Sequence, residues 1–246
     1  MDSHDVWAVG NAYERYMGRW SRPVAQEFVR WLPAAGSWLD VGCGTGVLTA
    51  LLPNATGVDA SEGFLVTARE RVPGATFLHG DAQALPLPDN SFDAVVSGLT
   101  VNFVPDPAAA AAEFARVTRG LAAAYVWDFA EGMELIRIFW EVAAELDPAA
   151  VELDEGRRFP LCRPEKLAEL WAGFRDVEVR AIDVPTTFRD FDDYWSPFLG
   201  GQGPAPGYVM SLPEEHRTAL KERLRERLGD GEIRLTARAW AVRGSV

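Results

Sequence analysis

Trp38-Leu39-Asp40-Val41-Gly42-Cys43-Gly44-Thr45-Gly46-Val47-Leu48-Thr49 decides the fold. Trp38 to Val41 is the short apolar run of a buried parallel strand. Three alternate glycines follow, and Val47 to Leu52 continues as an apolar segment with one polar residue, Thr49. The pattern predicts strand, tight loop, helix. Glycine suits such a loop because a residue without Cβ reaches positive φ and lets a ligand touch backbone. A helix opening there would direct free N–H groups and its positive end at a ligand over the loop.

The spacing separates two kinds of nucleotide loop. A dinucleotide fingerprint, Gly-x-Gly-x-x-Gly, needs glycine at 47, where the chain has Val47. The pattern here, Asp40-x-Gly42-x-Gly44-x-Gly46, resembles motif I of the class I S-adenosylmethionine-dependent methyltransferases. Further along, Gly80-Asp81-Ala82, Leu85-Pro86-Leu87-Pro88 and Ser91-Phe92-Asp93 follow in order. They resemble the same region of the quinone-biosynthesis, or type 11, members of that family, over residues 38 to about 128. The resemblance implies a Rossmann-like seven-stranded sheet of order 3-2-1-4-5-7-6, with strand 7 antiparallel and helices on both faces. It also implies S-adenosyl-L-methionine as cofactor. In that family the acid matching Asp81 accepts from the adenine amino group, and the next backbone N–H, here of Ala82, donates to the ring.

Composition sets the outer bounds. The chain has 246 residues, 48% hydrophobic and 24% charged, ordinary for one globular α/β domain spanning 1–246. A formal net charge of -12 disfavours nucleic-acid backbones and anionic lipid as partners. Two cysteines, Cys43 and Cys162, make neither a disulfide framework nor a metal cluster, as expected of a cytoplasmic protein. The first residues do not read as a signal peptide, and no apolar stretch is long enough to insert in a membrane.

Residues 8–32 read as two helical pieces. Ser21 and Pro23 suggest the start of the second, and Val24, Ala25, Phe28, Val29 and Leu32 form its apolar stripe. Ahead of them Tyr13, Tyr16, Met17 and Trp20 read either as a helix packed on the domain edge or as a lid. The family resemblance favours a helical lid over 1–32, with Tyr16 and Trp20 against the cofactor.

Ala55 to Asp59 is the second strand. An acid at its tip, Asp59 beside Ala60, can accept two hydrogen bonds from a ribose diol. The competing role, capping the next helix, is also open to Ser61. Ala75 to His79 and Phe92 to Ser97 are strands three and four. Ser97, Leu99 and Asn102 lie where strand four ends, the edge at which open α/β sheets collect ligands. Ser97 and Leu99 are expected under the cofactor. Asn102 faces the acceptor; it stands where many relatives carry histidine, and an amide is no base near neutral pH.

Asp106-Pro107 opens a helix, and Leu121 to Asp128 reads as strand five, placing Trp127 at the site. Asp128 is the single weak candidate for a general base, against an alternative role as a cap. Val177 to Val184 alternates as strand six, and Ile233 to Val242 closes the sheet. Between them, residues 186–230 read as an insertion whose Tyr194, Trp195 and Phe198 either build a small core or wall an acceptor pocket; the pocket is favoured. Ser211-Leu212-Pro213-Glu214 reads as a capping box before a helix bearing Leu220, Leu224 and Leu228.

The leading function is in-line methyl transfer to a small-molecule acceptor, partly apolar or aromatic, by a monomer or homodimer. A sulfonium donor is already reactive, so positioning and water exclusion suffice. A nicotinamide-dependent oxidoreductase and a non-catalytic S-adenosylmethionine-binding regulator are the alternatives. His4, His79 and His216 are scattered and offer no metal-ligand spacing.

Overall fold

The computed structural model describes residues 18–200 and 203–246; Tyr13, Tyr16 and Met17 of the expected lid lie outside the described residues. The sheet strands are β1 (Trp38–Val41), β2 (Ala55–Asp59), β3 (Thr76–His79), β4 (Phe92–Gly98), β5 (Thr118–Trp127), β6 (Arg175–Phe188) and β7 (Ile233–Ser245). They form one seven-stranded sheet of order β3-β2-β1-β4-β5-β7-β6. β7 runs antiparallel to both neighbours, and the other pairings are parallel. The order matches the one implied by the family resemblance. It reverses direction between β1 and β4, and there the glycine loop leaves β1.

The central strands are buried on both faces. All four residues of β1 are buried, as are Ala94 to Ser97 of β4 and Ala122 to Trp127 of β5. Such strands need no polar alternation, so they read as apolar runs. Helix α1 (Gly18–Trp31) lies over one face, and its Phe28 ring sits 4.6 Å from Tyr125 of β5. Helix α2 (Glu62–Arg71) follows β2, and α3 (Pro107–Val117) lies between β4 and β5. Ser61 caps α2 by accepting from the Phe64 N–H, and Asp106 caps α3 by accepting from the Ala109 N–H.

Several sequence expectations are corrected. The helix expected from Val47 to Leu52 is only a 3-10 turn, Thr49–Leu51, because Pro53 and the start of β2 at Ala55 leave no room for another turn. α1 is already helical at Gly18, ahead of Ser21, whose hydroxyl bonds back to the Gly18 carbonyl at 3.3 Å. β5 starts at Thr118, straight from α3. β6 continues through Phe188, so the insertion opens at Arg189, three residues later than 186. Ser211 caps nothing. It ends α8 (Pro204–Ser211), and its hydroxyl donates to the Tyr208 carbonyl at 2.8 Å.

Between α3 and α8 the described residues also form α4 (Glu134–Leu146), α5 (Glu155–Arg158), α6 (Pro164–Leu170) and, opening the insertion, α7 (Phe191–Trp195). The last helix, α9 (Glu214–Leu228), buries Leu220 and Leu224 and leaves Leu228 partly covered. The insertion packs on α4. Phe198 stacks on Phe139 at 4.6 Å, Tyr194 lies 5.5 Å from Phe198, and the Tyr194 hydroxyl donates to the Leu135 carbonyl.

α1 and the insertion are fastened to each other. Arg19 donates to both carboxylate oxygens of Asp193, at 2.9 and 3.3 Å, and to the Thr187 carbonyl at 3.0 Å. Its guanidinium also lies 5.5 Å from the Trp20 ring and 5.3 Å from Phe188. A two-pronged, aromatic-stacked arginine is worth more than an isolated surface pair. Arg19→Ala is expected to lower folding stability by about 1–2 kcal/mol, with Arg19→Lys recovering less than half. Urea titration followed by tryptophan fluorescence measures it, and an unchanged midpoint would show that the clasp contributes nothing.

Candidate active site

The glycine loop leaves β1 at the carboxyl edge of the sheet and is tied down at once. The N–H groups of Gly42 and Cys43 both donate to the Val58 carbonyl of β2, at 2.7 and 3.0 Å. Gly42, Gly44 and Gly46 all have positive φ: 70°, 53° and 82°. The space around them differs. A Cβ on Gly42 would sit 2.1 Å from the Thr100 side chain, and one on Gly46 would press Val72 and Ala68. A Cβ on Gly44 would meet nothing within 4 Å. The middle glycine therefore faces open space.

Asp59 reaches that loop from the tip of β2. One carboxylate oxygen accepts from the Gly44 N–H and the other from the Ser61 N–H, both at 2.8 Å. The backbone thus fixes the carboxylate while each oxygen keeps acceptor capacity. Burial raises its pKa, and the two N–H bonds counter that shift. Ser61 takes the capping role, so Asp59 is released from it.

Asp40 is buried beneath the loop. Its Oδ2 accepts from the Thr49 hydroxyl at 2.6 Å, while its Oδ1 is buried without a partner. Burial lifts its pKa to about 7. Ser97 Oγ, both amide atoms of Asn102 and Trp127 Nε1 are buried and unpartnered too. A buried polar atom without a hydrogen bond costs about 1–3 kcal/mol and is rare. Four such residues stand at or just beyond the ends of β1, β4 and β5. The fifth among the described residues is Thr186 on β6.

The end of β4 carries backbone strain as well. Leu99 sits at φ 58°, a left-handed conformation uncommon outside glycine, and its N–H donates to the Tyr125 carbonyl. Thr100 next to it fills the space under Gly42 and hydrogen-bonds the Gly42 carbonyl at 3.0 Å. The exit of β4 and the loop after β1 are thus one packed unit.

The remaining expected residues are placed as follows. Asp81 holds its own turn, accepting from the Gln83 N–H and side-chain amide, whose oxygen in turn accepts from the Asp106 N–H. Ala60 is exposed beside Asp59, its carbonyl 3.0 Å from the His79 ring. Ala82 is half-buried beside Asp81. Trp20 is buried, its ring 5.3 Å from Phe188, so this part of the expected lid is a fixed layer of the fold. Asp128 serves the turn after β5, accepting from the Glu131 N–H at 3.0 Å and from the Gly132 N–H. It holds that turn and does not cap the helix that follows, whose N-cap is Met133 with no side-chain cap bond. Tyr194, Trp195 and Phe198 are 0%, 4% and 0% exposed. In this structure they fill the small core between insertion and α4 and do not face an open pocket. The buried, unpartnered hydroxyl of Thr186 was not foreseen, because one such group in an alternating strand leaves no mark on the pattern.

Among the described residues, no group of His, Cys, Asp or Glu is arranged to hold a metal ion. No helix there is long and apolar enough to cross a membrane.

A glycine loop at the carboxyl edge, an acid bonded to it from the tip of β2 and a seven-stranded sheet with β7 antiparallel make up the Rossmann-like fold of a methyltransferase. The comparisons carry the same assignment further. Residues 39–125 match the family model described as "Methyltransferase domain". The chain is 34% identical over 176 residues to demethylmenaquinone methyltransferase of Roseiflexus sp. (strain RS-1), covering 62% of this chain and 73% of that protein. It is 34% identical over 130 residues to malonyl-[acyl-carrier protein] O-methyltransferase of Serratia marcescens, covering 48% of this chain but only 51% of that protein. The chain thus spans about half the length of the Serratia relative. A crystal structure of an S-adenosylmethionine-dependent methyltransferase from Thermotoga maritima superposes with a TM-score of 0.55 at 24% identity, covering 96% of this chain and 95% of that one, which bears on the fold. The chain belongs to the class I S-adenosylmethionine-dependent methyltransferases and is similar to their quinone-biosynthesis members.

Proposed function

We propose that this protein transfers a methyl group from S-adenosyl-L-methionine to a neutral, partly apolar small molecule. The observation that carries the reading is the set of unpartnered buried polar atoms of Asp40, Ser97, Asn102 and Trp127 around a glycine loop that leaves open space. Groups so costly to bury are retained where a ligand completes them. In this reading Asp59 accepts from the ribose hydroxyls, Gly44 brings backbone against the nucleoside, and Asp81 and Ala82 meet the adenine edge. Asp40 Oδ1 and Ser97 take the amino-acid end. Asn102 and Trp127 turn toward the acceptor.

The cofactor supplies a methyl group already activated on a sulfonium. What remains for the chain is to hold the acceptor atom in line and keep water out. Asn102 orients by its amide and moves no proton. Asp128, held by its own turn, is not needed as a base. Cys43 and Cys162 are both buried and unpaired, which suits the reducing cytoplasm we propose as its compartment, as a monomer or homodimer.

Asp40 gives the reading a signature. Its carboxyl stands near pH 7 in the free protein because burial disfavours the charged form. A cationic ammonium beside Oδ1 favours the ionised form and lowers that pKa. Binding of S-adenosylhomocysteine at pH 7 is therefore expected to release roughly half a proton, and to release none in Asp40→Asn. Calorimetry in buffers of different ionisation enthalpy measures the count. Failure of S-adenosylhomocysteine to bind at all would overturn the proposed function. Binding without turnover across hydroxylated, aminated and carbon-acid aromatic acceptors would favour the non-catalytic regulator.

A further inference from the structure

A cleft of about 430 Å³ opens where three helices converge: the end of α4, the end of α8 and the first turns of α9. That volume lies within the range of small-molecule pockets. Ala143, Leu146, Leu212, Ala219 and Leu220 give it apolar walls, and Asp147, Tyr208 and His216 are its polar groups. None of these residues belongs to the proposed cofactor site. α4 sets the separation. It starts at Glu134, after the turn that leaves β5, and at about 1.5 Å per residue Leu146 stands ~18 Å along it.

Asp147 is the acid at this end of α4 that no cation covers. On the same helix Glu141 pairs with Arg137 and Arg227, and Glu145 pairs with Arg223 at 3.1 Å. Two neutral donors hold the Asp147 carboxylate instead. Its Oδ1 accepts from the Ala149 N–H at 3.0 Å and its Oδ2 from the Tyr208 hydroxyl at 3.2 Å. Burial, and then the Asp147 charge, push the Tyr208 phenol up to about 12, so it stays a donor at neutral pH. A carboxylate has about four acceptor positions, so capacity remains for a ligand. The helix adds to the negative potential: the C-terminal carbonyls of α4 carry its negative pole, and its last turn holds no basic residue. Arg217, beside His216, donates to the Val209 and Leu212 carbonyls at 3.1 and 3.0 Å, which fastens α8 to α9.

We propose that this cleft is a second ligand site, taking an amphipathic molecule with a primary ammonium group and an apolar body. The ammonium, which only donates, sits on Asp147, and the body lies against the leucine and alanine walls. An alcohol of the same shape would forfeit the charge-assisted bond. A carboxylate would be repelled by Asp147 and could be drawn only by His216 or Arg217.

The test titrates three matched probes calorimetrically into the full chain saturated with S-adenosylhomocysteine: 4-phenylbutylammonium, 4-phenyl-1-butanol and 4-phenylbutyrate. The ammonium is expected to bind one to one and about tenfold more tightly than either of the others. Asp147→Asn keeps an oxygen for the Ala149 N–H, so the turn stays capped. It should bring the ammonium down to the level of the alcohol. Ala219→Trp, at an exposed position on α9, should fill the cleft and weaken both by more than about tenfold. Both variants should melt cooperatively and keep wild-type affinity for S-adenosylhomocysteine. Equal binding of ammonium and alcohol, tighter binding of the carboxylate, or binding of none would overturn the proposal. So would a preference that survives Asp147→Asn, or binding that Ala219→Trp leaves intact, since the probe would then sit elsewhere.

Discussion

Gly44→Val is expected to leave a folded protein that no longer binds cofactor. A Cβ at this position meets no protein atom within 4 Å, so nothing inside the fold is displaced. The cost to the fold is conformational. Position 44 sits at φ 53°, and a non-glycine residue held left-handed costs roughly 1–2 kcal/mol. A branched side chain would stand where the nucleoside lies in the proposed complex. S-adenosylhomocysteine affinity should fall by more than about a hundredfold, a loss of at least ~2.7 kcal/mol. Gly42→Ala is the contrasting variant. Its Cβ would sit 2.1 Å from the Thr100 side chain, so it should unfold at lower temperature before any ligand is added. Circular dichroism melts and calorimetry on both variants separate the two effects. A folded Gly44→Val with wild-type affinity would remove the loop from the cofactor site.

The second large effect is expected at Asp59. Its carboxylate holds the loop through Gly44 N–H and the start of α2 through Ser61 N–H. Alanine removes both anchors along with the proposed ribose acceptor. Charge-assisted hydrogen bonds contribute about 1.5–3 kcal/mol, so affinity for S-adenosylhomocysteine should drop by roughly tenfold to a hundredfold or more. Asp59→Asn keeps the shape but offers one carbonyl oxygen and no charge. It should fall between wild type and alanine. The folded state should persist in both, since burial already penalises the ionised carboxyl. Undiminished affinity in Asp59→Ala would refute the ribose assignment.

Much of the cofactor half was legible because its residues are constrained one by one. Alternate glycines mark positive φ, and all three have it. An acid at the tip of β2 followed two residues on by a serine to take the cap was also readable, and Ser61 does cap α2. Asp106-Pro107 gave its helix start to the residue. Where length or competition decides, the reading erred. Val47 to Leu52 has the right composition for a helix, but Pro53 and β2 follow at once and only the 3-10 turn Thr49–Leu51 forms. Ser21 looked like a cap, yet its hydroxyl finds the Gly18 carbonyl one turn back within a helix already begun.

The acceptor half was illegible for a different reason. An aromatic cluster has the same composition whether it lines a pocket or fills a core. Only the neighbours decide, and for Tyr194 and Phe198 the neighbours are Leu135 and Phe139 of α4. Thr186 illustrates the converse. Its type and spacing fit any β-strand, and only the absence of a partner for its hydroxyl sets it apart.

Thr100 fills the space under Gly42, and this ties together two positions 58 residues apart. Neither can drift alone in descent. A side chain gained at 42 collides with Thr100, and a truncation at 100 leaves a hole under the loop and a Gly42 carbonyl without its hydroxyl. Sequences that have diverged from this one should change the two together, with a larger residue at 42 accompanied by a glycine or alanine at 100. The pair is thus inherited as one unit, and transplanting this glycine loop into another chain without its threonine would carry over only half of the device.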